Sequence, residues 1–343
     1  MKNKYNLLKY ILIIVLILLV LLFLIRPNSG GFENSNSEIS DGLRETDSIV
    51  YIKKKAEDSE SESLYPILKN VFPNKEIRFV ENNSRYDLIV LSFHQAVPDA
   101  PFIYTSGERA THSLNRISSM KHKNCILNLV TTKDSYFDSI PNKVYFPFFL
   151  NVGPIIYNSS PFVRNSNINK PYLAAYIASH SPRHRKDMFN ILRAKDSTVD
   201  GLGKANHTKD VVLPKNWWDL AEIYKDYKFG FAMENTNEDG YITEKIMNVY
   251  RGGAIPIYWG TSAVKSIFNP ESFVYVLDYP SYEDCAADII AIRDDPTRYE
   301  AMRNAPMFLA IDGIDYSKYY DTPSPQWVLD IATKLKESLN IVG

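Results

Sequence analysis

The stretch Tyr227–Gly260, YKFGFAMENTNEDGYITEKIMNVYRGGAIPIYWG, reads as strand, polar loop, helix and strand. An apolar run ends in Met233-Glu234-Asn235 and a loop follows from Thr236 to Gly240. The pattern then predicts a helix over Tyr241–Tyr250 and a strand over Ala254–Trp259. Strands alternating with helices at this spacing make βαβ units and a parallel sheet. Ligands of such sheets sit beyond the carboxyl ends of the strands, often against a helix N-terminus that favours anions. Here that terminus carries Tyr241, Glu244 and Lys245. A cation in the first helical turn opposes the macrodipole. An anion held between the helix end and Lys245 would resolve the conflict; a solvated surface lysine is the alternative.

Outward from this block the same alternation continues. Upstream, strand-like runs are expected at Ser48–Lys54, Ile77–Val80, Tyr86–Leu91, Pro101–Thr105, Cys125–Val130 and Val144–Phe148, with a helix near Glu60–Lys69. The Asn-, Ser- and Pro-rich segment Tyr157–Lys170 reads as an interdomain linker. Beyond it come a strand at Pro171–Ser179 and helices near Arg185–Lys195, Trp217–Tyr224, Tyr282–Arg293 and Pro325–Leu339. This is an α/β pattern with short connections, divisible into domains over residues 47–160 and 171–322 and a final helix within 323–343.

At 343 residues the chain is long enough for two domains and a tail, and its net charge of -1 gives no electrostatic case for a nucleic-acid partner. Tyrosine (23) and tryptophan (4) suit a sugar-binding cleft, as they suit a core. Residues 1–9 carry three lysines and precede an unbroken apolar run, Tyr10–Ile25, closed by Arg26-Pro27. Sixteen residues of helix span roughly 24 Å, enough for a thin bilayer once Leu7 and Leu8 are added. The excess of lysine before the run places the N-terminus in the cytosol and the body across the membrane. A cleavable signal peptide would want a shorter core and a small-x-small site, which Ile25-Arg26-Pro27-Asn28 lacks. A transmembrane signal-anchor over residues 10–26 and a flexible polar stem over 27–46 are therefore expected, the layout of a single-pass type II protein. Cys125 and Cys285 fall in different domains and are expected to stay unpaired, and sequons stand at Asn82, Asn158 and Asn206.

Three groups of residues could carry chemistry. Lys204 follows two glycines in Val199-Asp200-Gly201-Leu202-Gly203-Lys204, a turn that allows close backbone approach to a phosphate. By itself it reads as a plain glycine turn. Glu108, in Tyr104-Thr105-Ser106-Gly107-Glu108, follows an apolar run at what should be a strand's carboxyl end; alone it reads as a surface turn. There is no Asp-x-Asp pair, Asp312 and Asp315 look like turn residues, and the six histidines show no metal spacing. No metal site is expected, so an anionic ligand would have to be met by fixed cations and backbone N–H groups.

The run Glu234-Asn235, Gly240-Tyr241-Ile242-Thr243-Glu244-Lys245-Ile246, Ala254-Ile255-Pro256-Ile257-Tyr258-Trp259-Gly260, continued in Phe268-Asn269-Pro270-Glu271-Ser272-Phe273, resembles the donor-binding block of the α1,3-fucosyltransferases, glycosyltransferase family 10. More thinly, the likeness extends upstream to about Thr105. It implies a GT-B-like fold, two facing Rossmann-like domains behind the N-terminal transmembrane helix. The first would be the acceptor side and the second the GDP-sugar donor domain, with the last helix crossing back onto the first. The resemblance further implies GDP-fucose as donor substrate, no required cofactor, and a glycan or glycoprotein acceptor. Glu108 would be the general base, Tyr241 and Lys245 would contact the diphosphate and Glu244 the ribose. Asn235 would line the same pocket, and Lys204 would stand where the family often has arginine, keeping the charge but not the bidentate fork. Arg185 falls near a family arginine and is read as structural or secondary. Arg109 departs from the asparagine common at its place. A eukaryotic source would put the body in the Golgi lumen. A transferase for another nucleotide sugar keeps the same fold, and an inactive membrane-tethered glycan-binding protein is the reading from another class.

Overall fold

The computed structural model describes residues 47–54, 61–81, 86–92, 96–110, 116–151, 162–167, 169–311 and 314–341. The tail, the membrane run and the stem expected over residues 1–46 lie outside these, as do Asn82, Asn158 and Asp312. Among the described residues no helix is long and apolar enough to cross a membrane.

Two parallel sheets make up the body. The first contains β1 (Ile49–Lys53), β2 (Glu76–Val80), β3 (Leu88–Leu91), β4 (Phe102–Thr105), β5 (Cys125–Val130) and β6 (Lys143–Tyr145), in the order β2-β1-β3-β4-β5-β6. The second contains β7 (Tyr172–Tyr176), β8 (Val199–Gly201), β9 (Tyr227–Met233), β10 (Ile255–Trp259) and β11 (Val274–Tyr275), in the order β11-β10-β9-β7-β8. Every pairing in both is parallel. A sheet covered by helices on both faces needs strands that are apolar throughout. That is why β3 (LIVL) and β4 (FIYT) are buried at every position.

Counted from its own first strand, each sheet reverses direction between its first and third strands. That reversal is the topological switch point, where the strand ends open a crevice. It falls between β1 and β3 in the first sheet and between β7 and β9 in the second. Both sheets belong to one compact unit. The helix α1 (Tyr65–Val71) covers the first sheet, and the final helix (Gln326–Ser338) packs on α1 and β5. Tyr319 Oη donates to Ser63 O at 2.6 Å beside this contact.

Three expectations are corrected. The helix predicted from Tyr241 starts at Glu244, giving α2 (Glu244–Arg251). Gly240 takes a φ of +75°, and Thr243 stays extended because its amide and hydroxyl are both given to Glu234. The run Val144–Phe148 is a strand only to Tyr145; after Pro147 the chain makes a 3-10 turn, Phe148–Leu150. The described end of the expected linker is not a free connector. Phe162 and Lys170 are buried, and Lys170 Nζ donates to the carbonyls of Tyr224, Lys225 and Gly252 at 2.9–3.1 Å.

Candidate active site

β9 delivers Met233 and then Glu234 at its carboxyl end, and α2 begins ten residues later. The two ends are tied by one carboxylate. Glu234 is fully buried; it accepts the Thr243 amide at 2.7 Å, the Thr243 hydroxyl at 2.8 Å and Lys245 Nζ at 3.0 Å. Lys245 Nζ also donates to Thr243 Oγ1 at 2.7 Å and lies 3.8 Å from Glu244. The question left open by the sequence is thus answered by a third arrangement: a lysine in the first turn of α2 balanced from below by a buried carboxylate. Burial opposes its charge, but the carboxylates of Glu234 and Glu244 outweigh burial and hold the Lys245 ammonium above its usual range. Thr243, engaged by Glu234, makes no side-chain cap, so the helix end keeps donors for a ligand.

Asn235, exposed, is oriented by Arg185, whose guanidinium donates to Asn235 Oδ1 at 2.6 Å and to Met233 O at 2.5 Å. Arg185 is itself buried in the first turn of α3 (Arg183–Lys195), which fits a positioning part rather than a ligand contact. His184, read from the sequence as an ordinary polar residue, stacks on Trp259 at 3.8 Å, and its Nε2 lies 3.0 Å from Glu234 O.

Across the gap, β4 ends at Thr105 and leads into Ser106-Gly107-Glu108. A cleft of about 320 Å³ is lined by Gly107, Glu108 and Phe148 of the first domain. From the second it takes Trp217, Asn235, Tyr241, Glu244 and Lys245. Gly107 is required there, because a Cβ would sit 2.5 Å from the Phe148 ring. Phe148 and Trp217, 5.9 Å apart, form an aromatic wall shared by the two domains. Tyr241 reaches over to the first domain and donates to Gly107 O at 3.3 Å. Burial, with the carboxylates of Glu234, Glu244, Glu108 and Glu238 adding, pushes its phenol far above the ordinary range, so it stays a hydrogen-bond donor.

Five of the six expected site residues therefore line one cleft, and Lys204 does not. It is exposed on the turn after β8, beside the 178–181 turn, which Ala205 N and Asn206 Nδ2 engage. The glycines before it serve their own backbone. A Cβ at Gly201 would meet Asn206 O at 1.7 Å, and one at Gly203 would meet Ala178 O at 2.3 Å. Sequence reasoning missed Glu234 as the balancing carboxylate, and missed Phe148 and Trp217 as walls. An acidic residue ending an apolar strand was the available signal for the first. For the rings there was none, since they come from different domains.

Two parallel-sheet α/β domains meeting at the carboxyl ends of their strands have the GT-B arrangement. Comparison with known proteins narrows this. Residues 167–304 match the family model described as glycosyltransferase family 10 (fucosyltransferase) C-term. The α-(1,3)-fucosyltransferase FucT of Helicobacter pylori is 32% identical over 143 residues, 42% of this chain and 29% of its own length. Protein R654 of Acanthamoeba polyphaga mimivirus, named provisionally as a fucosyltransferase, is 30% identical over 212 residues, 58% of this chain and 31% of its own. The chain thus spans under a third of the length of these relatives. The crystal structure of an α1,3-fucosyltransferase with GDP-fucose superimposes with a TM-score of 0.57 and 19% identity, over 89% of this chain and 95% of that one. At that identity the likeness is one of fold.

Proposed function

We propose that the protein transfers L-fucose from GDP-β-L-fucose to a glycan hydroxyl, with inversion and without a metal ion, at the 3-position of N-acetylglucosamine. The observation that carries this is the cleft itself, in which Glu108 of one domain faces Tyr241, Glu244 and Lys245 of the other. Glu108 takes the proton of the attacking hydroxyl as its oxygen bonds the anomeric carbon; the bond from that carbon to the β-phosphate oxygen breaks, and GDP departs with its charge. Lys245 and the uncapped start of α2 stabilise that charge where it develops, and Tyr241, whose single phenol proton goes to Gly107 O, turns it to the diphosphate when GDP-fucose binds. Glu244 receives the ribose hydroxyls, and Asn235 closes the pocket beside Arg185. Lys204 adds an exposed cation to the donor's diphosphate. Among the described residues no three of His, Cys, Asp and Glu gather into a group that could hold a metal ion.

The apolar run over residues 10–26 would anchor the body to a bilayer as a type II protein, in the Golgi if the source is eukaryotic. Carbonate extraction of membranes, with and without that run, tests the anchor. The catalytic reading is tested by incubating the protein with GDP-fucose and N-acetyllactosamine and following GDP release with and without EDTA. Acceptor-dependent release indifferent to EDTA supports both donor and mechanism. Release abolished by EDTA removes the metal-free mechanism. A thermal shift with UDP but not GDP removes the donor.

A further inference from the structure

The turn that carries Glu108 is held on both sides by the loop between β9 and α2. Tyr241 Oη donates to Gly107 O at 3.3 Å, one residue before Glu108, and Glu238 Oε2 accepts the Ala110 amide at 2.6 Å, two residues after it. Within the turn, Glu108 N donates to Ser106 Oγ at 3.1 Å and Thr131 Oγ1 donates to Glu108 O at 3.2 Å. The loop that reaches over is in turn fastened to the first domain. Lys133 N donates to Asp239 O at 2.8 Å, and Tyr145 Oη to Gly240 O at 2.7 Å. A carboxylate accepting a backbone amide is a charge-assisted bond, short and directional, so Glu238 sets the direction of the Ala110 amide as well as its position.

We propose that Glu238 is a positioning residue that holds the Gly107–Ala110 turn, and through it the Glu108 carboxylate, at the mouth of the donor cleft. This rests on the reading of Glu108 as the base. Donor loop and base turn then form one unit spanning both domains, so the loop that meets the sugar nucleotide also sets the group that deprotonates the acceptor.

Glu238→Ala and Glu238→Gln separate the possibilities, because glutamine keeps an oxygen that can accept the Ala110 amide and alanine does not. Two quantities are read on the full chain: hydrogen exchange of the backbone over residues 105–110, and steady-state rates with GDP-fucose and N-acetyllactosamine. Exchange at Ala110 is expected to rise about tenfold or more in E238A and to stay near wild type in E238Q. Turnover kcat is expected to fall about 10- to 100-fold in E238A with the donor KM within about twofold, and to stay within about threefold in E238Q. Unchanged exchange in E238A overturns the proposal, as does equal loss of kcat in both variants, or a lowered Tm with kcat intact. If the wild-type protein turns over no GDP-fucose, the catalytic reading fails and the exchange measurement decides the hold on the turn by itself.

Discussion

Lys245 Nζ rests 3.0 Å from a Glu234 carboxylate that no solvent reaches, while the lysine side chain itself is 26% exposed toward the cleft. The pair is asymmetric: the anion is locked in by three donors, and the cation has one side left for a ligand. Breaking a buried pair from one side costs about 3–5 kcal/mol, and exposure of the lysine argues for the lower part of that range or less. Glu234→Gln, which still accepts from Thr243, is expected to lower stability by about 1–3 kcal/mol in urea denaturation. Because the Lys245 pKa is held above its ordinary 10.5, the pair's contribution is fully present below that value and is lost as pH rises through the folded pKa. Removing Glu234 leaves Glu244 alone against burial and Arg185, which lowers that pKa, so GDP binding by the variant should weaken at alkaline pH where the wild type still binds. Identical pH profiles would show that Glu234 does not hold the lysine's charge.

Glu108→Gln should cost about 10²–10⁴-fold in kcat, the usual worth of a general base, with the GDP-induced thermal shift unchanged. Turnover within a few-fold of wild type would remove Glu108 from the role.

Lys204 is an exposed cation outside the cleft lining. An exposed cation is worth about 0.2–1 kcal/mol to a bound anion, and salt screens it. Lys204→Ala should weaken GDP binding only about two- to fivefold at low salt, fading at 0.5 M salt by about half or more, whereas Lys245→Ala should weaken it at both. No change at low salt would take Lys204 out of the donor site.

The strand–loop–helix–strand reading of Tyr227–Gly260 needed only local periodicity, which is why β9, α2 and β10 stand where the apolar spacing put them, α2 three residues late. That late start is instructive: Thr243 is withheld from the helix by Glu234, and no periodicity encodes a side chain reaching back nine residues. Lys245 stood out by its place in a first helical turn, whereas Glu108 alone reads as a surface turn and took its expected role from the family resemblance, as did Tyr241 and Glu244. Glu238 was not, because its partner Ala110 is 128 residues away and only the meeting of two sheets brings them together.

Cys125 and Cys285 are both free and buried, and burial pushes each thiol up to about 12. Only about one thiol in 10⁴ is then ionised at pH 8, and the thiolate is the reactive form. Neither should react with a thiol reagent over minutes in the native protein, and both should react in denaturant. One equivalent of rapid native labelling would show that one of these sites opens.

Lys170 offers a pH test of the fold. Its ammonium is buried against three carbonyls, and burial, with Arg303 adding, lowers its pKa from 10.5 to about 8. Lys170→Met leaves those carbonyls without their donor and should cost about 2–4 kcal/mol at neutral pH. Between about pH 8 and 10.5 the unfolded chain keeps the proton that the folded chain gives up, so wild-type stability rises with pH across that window. The difference between wild type and variant should therefore widen from pH 7 to 10, by up to about 3 kcal/mol. A constant difference would mean that the three carbonyls hold the ammonium charged throughout, its pKa not lowered by burial.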